Sequence, residues 1–172
     1  MAQAREESKG APAPAAPALV PSKWTVLRAG GFRLDGGGMF GLIPRSMWSK
    51  WMPPDADNRI GLAMNCVLLE RKGEGGSGRV RRTLVEAGAG SKWTAKEQAI
   101  YEFERTADGS VRTVEHALRQ IGVDPASIDD VVVTHLHFDH AGGLTRLAAD
   151  GTPEPVFPKA CIHVQRQEWK DR

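Results

Sequence analysis

The sequence is short of cysteine and of long apolar runs, and both shortages exclude classes of protein. Its 172 residues include two cysteines, Cys66 and Cys161, which lie in separate apolar runs and form no C-x-x-C pair. A thiol redox centre or a cysteine-based zinc site is therefore disfavoured, and both residues are expected to be buried free thiols. No window reaches the roughly 18 consecutive apolar residues of a membrane span, so we expect no membrane partner.

Clustered basic charge is also lacking. The chain has 23 basic and 21 acidic side chains, a formal net charge of +2. Its densest basic run, Arg79–Arg82, is interrupted by Val80 and follows a glycine loop. Nucleic-acid surfaces need Lys and Arg clustered on one face, so no nucleic-acid partner is predicted and the run is interpreted as a solvated strand end.

The N-terminal segment has no hydrophobic periodicity. Residues 1–22 are rich in alanine and proline, which predicts a disordered tail ahead of one folded unit over residues 23–172. Early glutamates and repeated prolines replace the apolar centre of a signal peptide, so a cytoplasmic location is expected.

The pattern of the remaining chain predicts an α/β (α+β) fold. Short strands are expected at 24–28 and 31–34 and a turn at 35–38, followed by a hairpin of strands 62–69 and 80–85 around a flexible connection at 71–78. Thr94-x-x-Glu97 is a capping box that opens a helix from Ala95 to about Arg105. A second helix spans 111–121, with His116 off its apolar stripe and therefore exposed. The β-branched residues 130–134 predict a central, buried strand.

Three histidines and an aspartate follow that strand directly, in the sequence THLHFDHAGG (Thr134–Gly143). In an extended backbone His135 and His137 project to the same side, and Leu136 points away into packing. Asp139 and His140 come after a turn and can reach a second ion. Imidazole and carboxylate ligands without sulfur suit zinc, and also iron or manganese.

The surroundings of this cluster are expected to be close-packed. Ala141-Gly142-Gly143 lets the backbone turn closely past the site, and residues 144–147 are predicted to start a helix. Met39–Trp51 is expected to line a pocket, with Trp48 and Trp51 themselves favoured as core residues.

The cluster carries a family resemblance. H-x-H-x-D-H followed by a small residue and two glycines resembles the signature of the metallo-β-lactamase superfamily. Four further segments resemble its lactonase-like branch, and together they cover the chain from about Trp24 to its last residue: FRLDGGGMFGLIPRSMW, NRIGLAMNCVLLE, LVEAGAGSK and CIHVQRQEW.

The resemblance implies the fold and the chemistry. Members have an αβ/βα sandwich of two similar halves, of which this chain has the first, with the second half missing. By the resemblance, His135 and His137 bind one zinc ion, and Asp139 and His140 bind a second. Asp139 also receives a catalytic role. A hydroxide between the metals would attack the carbonyl of a small-molecule lactone or related ester.

The chain departs from the family pattern at two places. Glu86-Ala87-Gly88 stands where the family usually has D-T-G. The family's remaining ligands, a histidine on each metal and a bridging aspartate, come from the second half, and His163 does not occupy any of those positions. We therefore expect an exposed apolar inner face and a chain that is poorly soluble or weakly active.

Other functions remain open at this stage. They are a thioester hydrolase of the glyoxalase II type, a non-catalytic metal-binding fragment, and an iron-based oxidoreductase of the same fold.

Overall fold

The computed structural model describes residues 22–72 and 79–171, which fold around a five-stranded mixed sheet in the order β1-β2-β3-β4-β7. This confirms the predicted α/β class. The strands are β1 Ser22–Asp35, β2 Arg59–Lys72, β3 Val80–Val85, β4 Asp130–Val133, β5 Thr145–Leu147, β6 Pro153–Pro155 and β7 Cys161–Val164, where β5 and β6 form a separate pair. The helices are α1 Gly36–Phe40, α2 Arg45–Trp48, α3 Ala95–Tyr101, α4 Val114–Gln120, α5 Phe138–Ala141 and α6 Arg166–Asp171, with 3-10 turns at Pro125–Ser127 and Gly142–Leu144.

The strand directions place β4 inside the parallel part of the sheet. β1, β2 and β3 pair antiparallel, whereas β3, β4 and β7 pair parallel. The predicted β2–β3 hairpin is therefore confirmed, although the connection at 73–78 lies outside the described residues, as does the tail at 1–21. Because parallel neighbours end at one edge, the residues that follow β4 emerge where ligands collect in such sheets.

The hydrophobic core lies on one face of the sheet. Alternate residues of the strands point into it, and α4 covers them with an apolar stripe at helical spacing. The core includes Leu27, Cys66, Leu68, Leu84 and Val131 from the strands and Val114, Ala117 and Leu118 from α4. This packing fixes the register of the strand from which the histidine cluster emerges.

The opposite face of the sheet is open to solvent along β1 and β2. Trp24 is 67% exposed and Val26 54%, and their cross-strand neighbours Leu69 and Val67 are only partly buried. Such exposure is unusual for large apolar side chains on neighbouring strands. It agrees with the apolar inner face expected from the sequence, and we refer to this surface as the open face.

An ion network interrupts the open face. Asp130 is only 5% exposed, and it accepts two hydrogen bonds from Arg81, at 2.7 and 2.9 Å, and lies 2.9 Å from Nε2 of His163. The run Arg79–Arg82 lies at the start of β3, and the Arg79 and Arg81 side chains are 75% and 58% exposed, as expected of a solvated strand end. Each of the three arginines also pairs with an acidic residue. His163 lies on β7.

Asp130 should make stability fall at acidic pH. The Arg81 hydrogen bonds, assisted by His163, lower the pKa of Asp130 from 3.8 to about 2. A carboxyl whose pKa is lower in the folded state stabilises the fold above its unfolded pKa, and that contribution disappears as the pH falls towards the folded value. Asp130→Asn should therefore be less stable than the parent near neutral pH, and the gap should narrow between pH 3.8 and about 2. Urea unfolding at stepped pH measures the gap.

The comparison between parent and variant has an internal control. Asp108 also has a pKa lowered to about 2, through hydrogen bonds from Thr106 and Ser110, but it is present in both proteins and cancels in the difference. A gap of constant size from pH 5 to pH 2 would show that Asp130 does not act through its charge.

Three sequence-based assignments of local structure are wrong. β1 is one continuous strand with a register shift between Arg28 and Gly30, instead of two short strands. The glycine turn is the start of α1, because the Asp35 side chain accepts a hydrogen bond from the backbone of Gly38 and caps the helix. Residues 145–147 form β5 instead of a helix, since they pair with β6.

Several residues also differ in environment from expectation. α3 ends at Tyr101, short of Arg105, although the Thr94 capping box is confirmed. His116 is partly buried and caps α4 through Nδ1, instead of facing solvent. Cys161 is exposed on the edge strand β7, whereas Cys66 is buried as predicted.

In the segment Met39–Trp51, one of the two tryptophans expected in the core is buried and the other is not. Trp48 is 1% exposed and stacks on Phe40, so it is a packed residue as predicted, but Trp51 is 70% exposed.

Within residues 22–72 and 79–171, no helix has both the length and the apolar character to cross a bilayer.

Candidate metal centre

The three histidines and the aspartate lie on the segment Thr134–Gly143, which we call the ligand loop. It leaves the carboxyl end of β4, runs without regular structure through His135 to His137, and then forms α5. His137 occupies the N-cap position of this four-residue helix, and Asp139 and His140 lie within it. The short helix replaces the simple turn expected from the sequence, and it folds the second pair of side chains back towards the first.

The histidine rings converge on one region. The ring centroid of His135 lies 4.7 Å from that of His137 and 3.9 Å from that of His140. Nε2 of His140 is 3.4 Å from a carboxylate oxygen of Asp139. All four residues predicted as ligands are therefore brought together, with His135 central to the group. His137 is exposed and the other three are partly buried.

Glu86 lies beneath the cluster in an uncommon backbone conformation. Its φ of +68° is in the left-handed region, which a side chain other than glycine enters at an energetic cost. One carboxylate oxygen accepts a hydrogen bond from the backbone N–H of Thr134 at 3.1 Å. The nearby Cys66 is 1% exposed, and burial first and the Glu86 charge second raise the pKa of its thiol to about 12.

Two buried polar atoms at the cluster have no hydrogen-bond partner within the described residues. They are Oε2 of Glu86 and Nδ1 of His140, which lie 3.2 Å apart without forming a hydrogen bond. Burying unpaired polar atoms is costly, and such atoms usually have a role. A metal ion bound through His140 would fit this observation, because it would fix the ring and its tautomer.

The chemistry of the donor atoms suits a metal ion, but their positions do not yet form a binding site. Nitrogen and oxygen donors without sulfur suit zinc, iron or manganese. Across the described part of the chain, however, no group of three or more His, Cys, Asp or Glu side chains already has the arrangement needed to hold one ion. The four side chains are close together without forming such a group.

The ligand loop packs directly on the loop that leaves β3, which contains Glu86-Ala87-Gly88. The backbone N–H of Ala87 donates to His140 O at 2.8 Å, and that of Gly143 donates to Gly88 O at 2.7 Å. A Cβ atom on Gly143 would lie 2.0 Å from Ala87 O, so no side chain fits there. The close passage predicted for Ala141-Gly142-Gly143 is confirmed.

Other supports of the ligand loop were not identified from the sequence. Phe138 lies between His137 and Asp139 in the sequence and packs into an aromatic group. Its ring centroid is 5.5 Å from that of Phe32, 5.3 Å from that of Trp93 and 5.0 Å from that of Tyr101. Lys92 donates to two carbonyl groups at the end of the loop. Periodicity within the loop gives no sign of these contacts, because their partners lie on distant segments.

Comparison with known proteins identifies the family. The sequence profile described as the metallo-β-lactamase superfamily matches residues 60–158, which is more than half of the chain and includes β4 and the whole ligand loop. The chain belongs to the metallo-β-lactamase superfamily.

Individual relatives in the superfamily include lactonases. The chain is 32% identical over 78 residues to the N-acyl homoserine lactonase AttM of Azorhizobium caulinodans, an alignment that covers 45% of this chain and 24% of AttM. Among solved structures, a probable metal-dependent hydrolase from Staphylococcus aureus matches with a TM-score of 0.71 and 28% identity, over 88% of this chain and 50% of that one. AidC, described as a dizinc quorum-quenching lactonase, matches with a TM-score of 0.57 and 21% identity, over 88% and 44% of the two chains.

The chain thus spans about half the length, or less, of these relatives.

Proposed function

We propose that this chain supplies four metal ligands, His135, His137, Asp139 and His140, to a hydrolase that opens lactone rings. The observation that carries the proposal is the convergence of the His137 and His140 rings on that of His135, each within 5 Å of it, at the carboxyl end of a buried strand. Packing alone does not account for it, because clustered polar side chains need partners. The likeness to AttM, at 32% identity over 78 residues, supports the choice of a lactone.

Some of these residues would bind the metal, and others would hold the ligand loop in place. Imidazole nitrogens of His135, His137 and His140 and a carboxylate oxygen of Asp139 would be the ligands, and zinc is the metal that we propose for them. A bound divalent metal supplies Lewis-acid polarisation of an ester carbonyl. Glu86 would hold the backbone at Thr134, whose N–H donates to its carboxylate.

The proposed reaction is tested by a substrate panel. The 172-residue chain, and any longer product of the same reading frame, would be loaded with zinc and assayed on N-acyl homoserine lactones of several acyl lengths, a simple γ-lactone and a glutathione thioester. We expect ring opening of at least one lactone, seen as acid release in a weakly buffered indicator solution.

The panel separates the alternatives. Hydrolysis of the thioester with no lactone turnover would replace the proposal by a thioester hydrolase. Absence of turnover on every substrate, in a protein that binds zinc, would identify a metal-binding protein without this activity.

A further inference from the structure

A side chain far along the sequence holds the backbone between two of the proposed ligands. Oε1 of Glu168, in α6, accepts a hydrogen bond from the backbone N–H of Leu136 at 2.8 Å. Leu136 lies between His135 and His137 in the chain, so a constraint on its amide also limits the backbone positions of both histidines. The two partners are 32 positions apart in the sequence, and Glu168 is partly buried.

This amide has no strand partner because β4 ends at Val133. His135 to His137 run without regular structure, so their backbone geometry depends on contacts from outside the loop. A carboxylate acceptor makes a stronger hydrogen bond with a backbone N–H than a neutral oxygen does. Glu168 therefore supplies at Leu136 the constraint that the sheet no longer provides.

Contacts at the two ends of the ligand loop complete the support. Glu86 binds the backbone N–H of Thr134 at its start, and Nζ of Lys92 donates to the carbonyl oxygens of Gly142 and Thr145, both at 2.6 Å, at its end. The second half of the ligand loop is also fixed by backbone hydrogen bonds, from Ala87 N to His140 O and from Gly143 N to Gly88 O. Among these supports, Glu168 is the one that contacts the backbone between the two histidines, away from both ends of the ligand loop.

We infer that Glu168 is a positioning residue, which sets the separation of the His135 and His137 rings by holding the Leu136 amide. The inference rests on the proposed function, because it assumes that the two histidines bind a metal. It goes beyond that function by assigning a role to a residue that is not a ligand and lies outside the H-x-H-x-D-H motif. Hydrogen bonds that orient metal ligands commonly change metal affinity by about 10- to 100-fold when they are removed.

The test uses three variants of the zinc-free chain. Glu168→Ala removes the acceptor, and Glu168→Gln keeps a neutral acceptor oxygen at the same position. Gln167→Ala is the matched control on the same helix, because the Gln167 side chain donates to the carboxylate of Asp171, one turn further along α6. Circular dichroism and the thermal midpoint establish that each variant folds.

Two readouts separate positioning from general stability. Hydrogen exchange of the Leu136 amide in the metal-free protein should become at least about tenfold faster in Glu168→Ala. In Glu168→Gln the protection of this amide should be partly restored, because the neutral oxygen is a weaker acceptor than the carboxylate. Zinc affinity, from competition with a chromophoric chelator, should fall by about 10- to 100-fold in Glu168→Ala. The visible spectrum of the cobalt-loaded protein should change in band position, which reports ligand geometry.

The possible results have distinct meanings. Zinc affinity and cobalt spectrum unchanged in Glu168→Ala, with metal bound normally by the parent, would overturn the inference and leave the proposed function intact. Equal losses in Gln167→Ala, or no restoration in Glu168→Gln, would also overturn it, since both indicate general damage to α6. A parent protein that binds no metal would overturn the proposed function and the inference together.

Discussion

Replacing His137 with alanine is expected to remove at least one equivalent of bound metal per chain. The ring of His137 is exposed, and its centroid lies 4.7 Å from that of His135, close enough for the two imidazoles to bind one ion as proposed. Zinc sites need three or four protein ligands, so a cluster of four proposed ligands that loses one of them should no longer hold its ion tightly. The measurement is the zinc content per chain by elemental analysis, after loading and desalting.

A second histidine serves as the control for this experiment. His163 is on the open face, where it bonds to Asp130, and it does not belong to the ligand loop. His163→Ala should retain the parent's zinc content. If His137→Ala keeps the full content, the assignment of His137 as a ligand is wrong, whatever the substrate panel shows.

Replacing Gly143 with alanine should be the most destabilising of the single substitutions considered. The new Cβ atom would lie 2.0 Å from Ala87 O and 3.0 Å from its carbonyl carbon, which are backbone atoms that cannot rotate away. The two backbones are also joined by the 2.7 Å hydrogen bond from Gly143 N to Gly88 O. Overpacking usually costs about 1–3 kcal/mol, and we expect on the order of 3 kcal/mol or more here because no side chain can yield.

A glycine in open space provides the matched control. Gly61 lies in β2, and no atom of the described residues comes within 4 Å of the position that its Cβ would occupy, so Gly61→Ala meets no obstruction. It should be neutral or more stable by about 0.5–1 kcal/mol, as alanine is less flexible in the unfolded chain. Urea unfolding gives both free energies. A Gly143→Ala protein as stable as Gly61→Ala would show that the two loops can separate without loss.

The parts of the fold that could be predicted from sequence are those governed by local rules. The β-branched run at 130–134 predicted β4, because such residues favour a buried strand. Thr94 and Glu97 form the predicted capping box, and Asp124 caps the turn at Pro125–Ser127. Each of these signals acts within four residues, so tertiary contacts did not need to be known.

The errors arise where distant segments decide the outcome. Residues 145–147 have no strong local preference, and they form a strand because β6 is available as a partner. β1 continues through Gly30 because β2 pairs with it on both sides of the register shift. A histidine at position 116 cannot be known to cap α4 until the helix start at Val114 is fixed.

In the candidate site, the proposed ligands could be predicted from the sequence, but the residues that support them could not. The spacing H-x-H-x-D-H indicated the four proposed ligands, since their relation is local. The supports at Glu86, Lys92 and Glu168 contact the ligand loop from 48, 50 and 32 positions away. No pattern within one segment encodes such pairings, and only the folded chain brings the residues together.

The open face has a consequence for the temperature dependence of stability. The heat capacity of unfolding arises mainly from apolar surface that becomes hydrated, at about 0.45 cal/mol/K per Å². Trp24 and Val26 are already 67% and 54% exposed in the folded chain, so they add little to that change. The heat capacity increment per residue should therefore lie below the usual value of about 12–15 cal/mol/K. A smaller increment flattens the stability curve, so this chain, taken alone, should lose stability less steeply on cooling than a domain of equal length with both faces of its sheet covered.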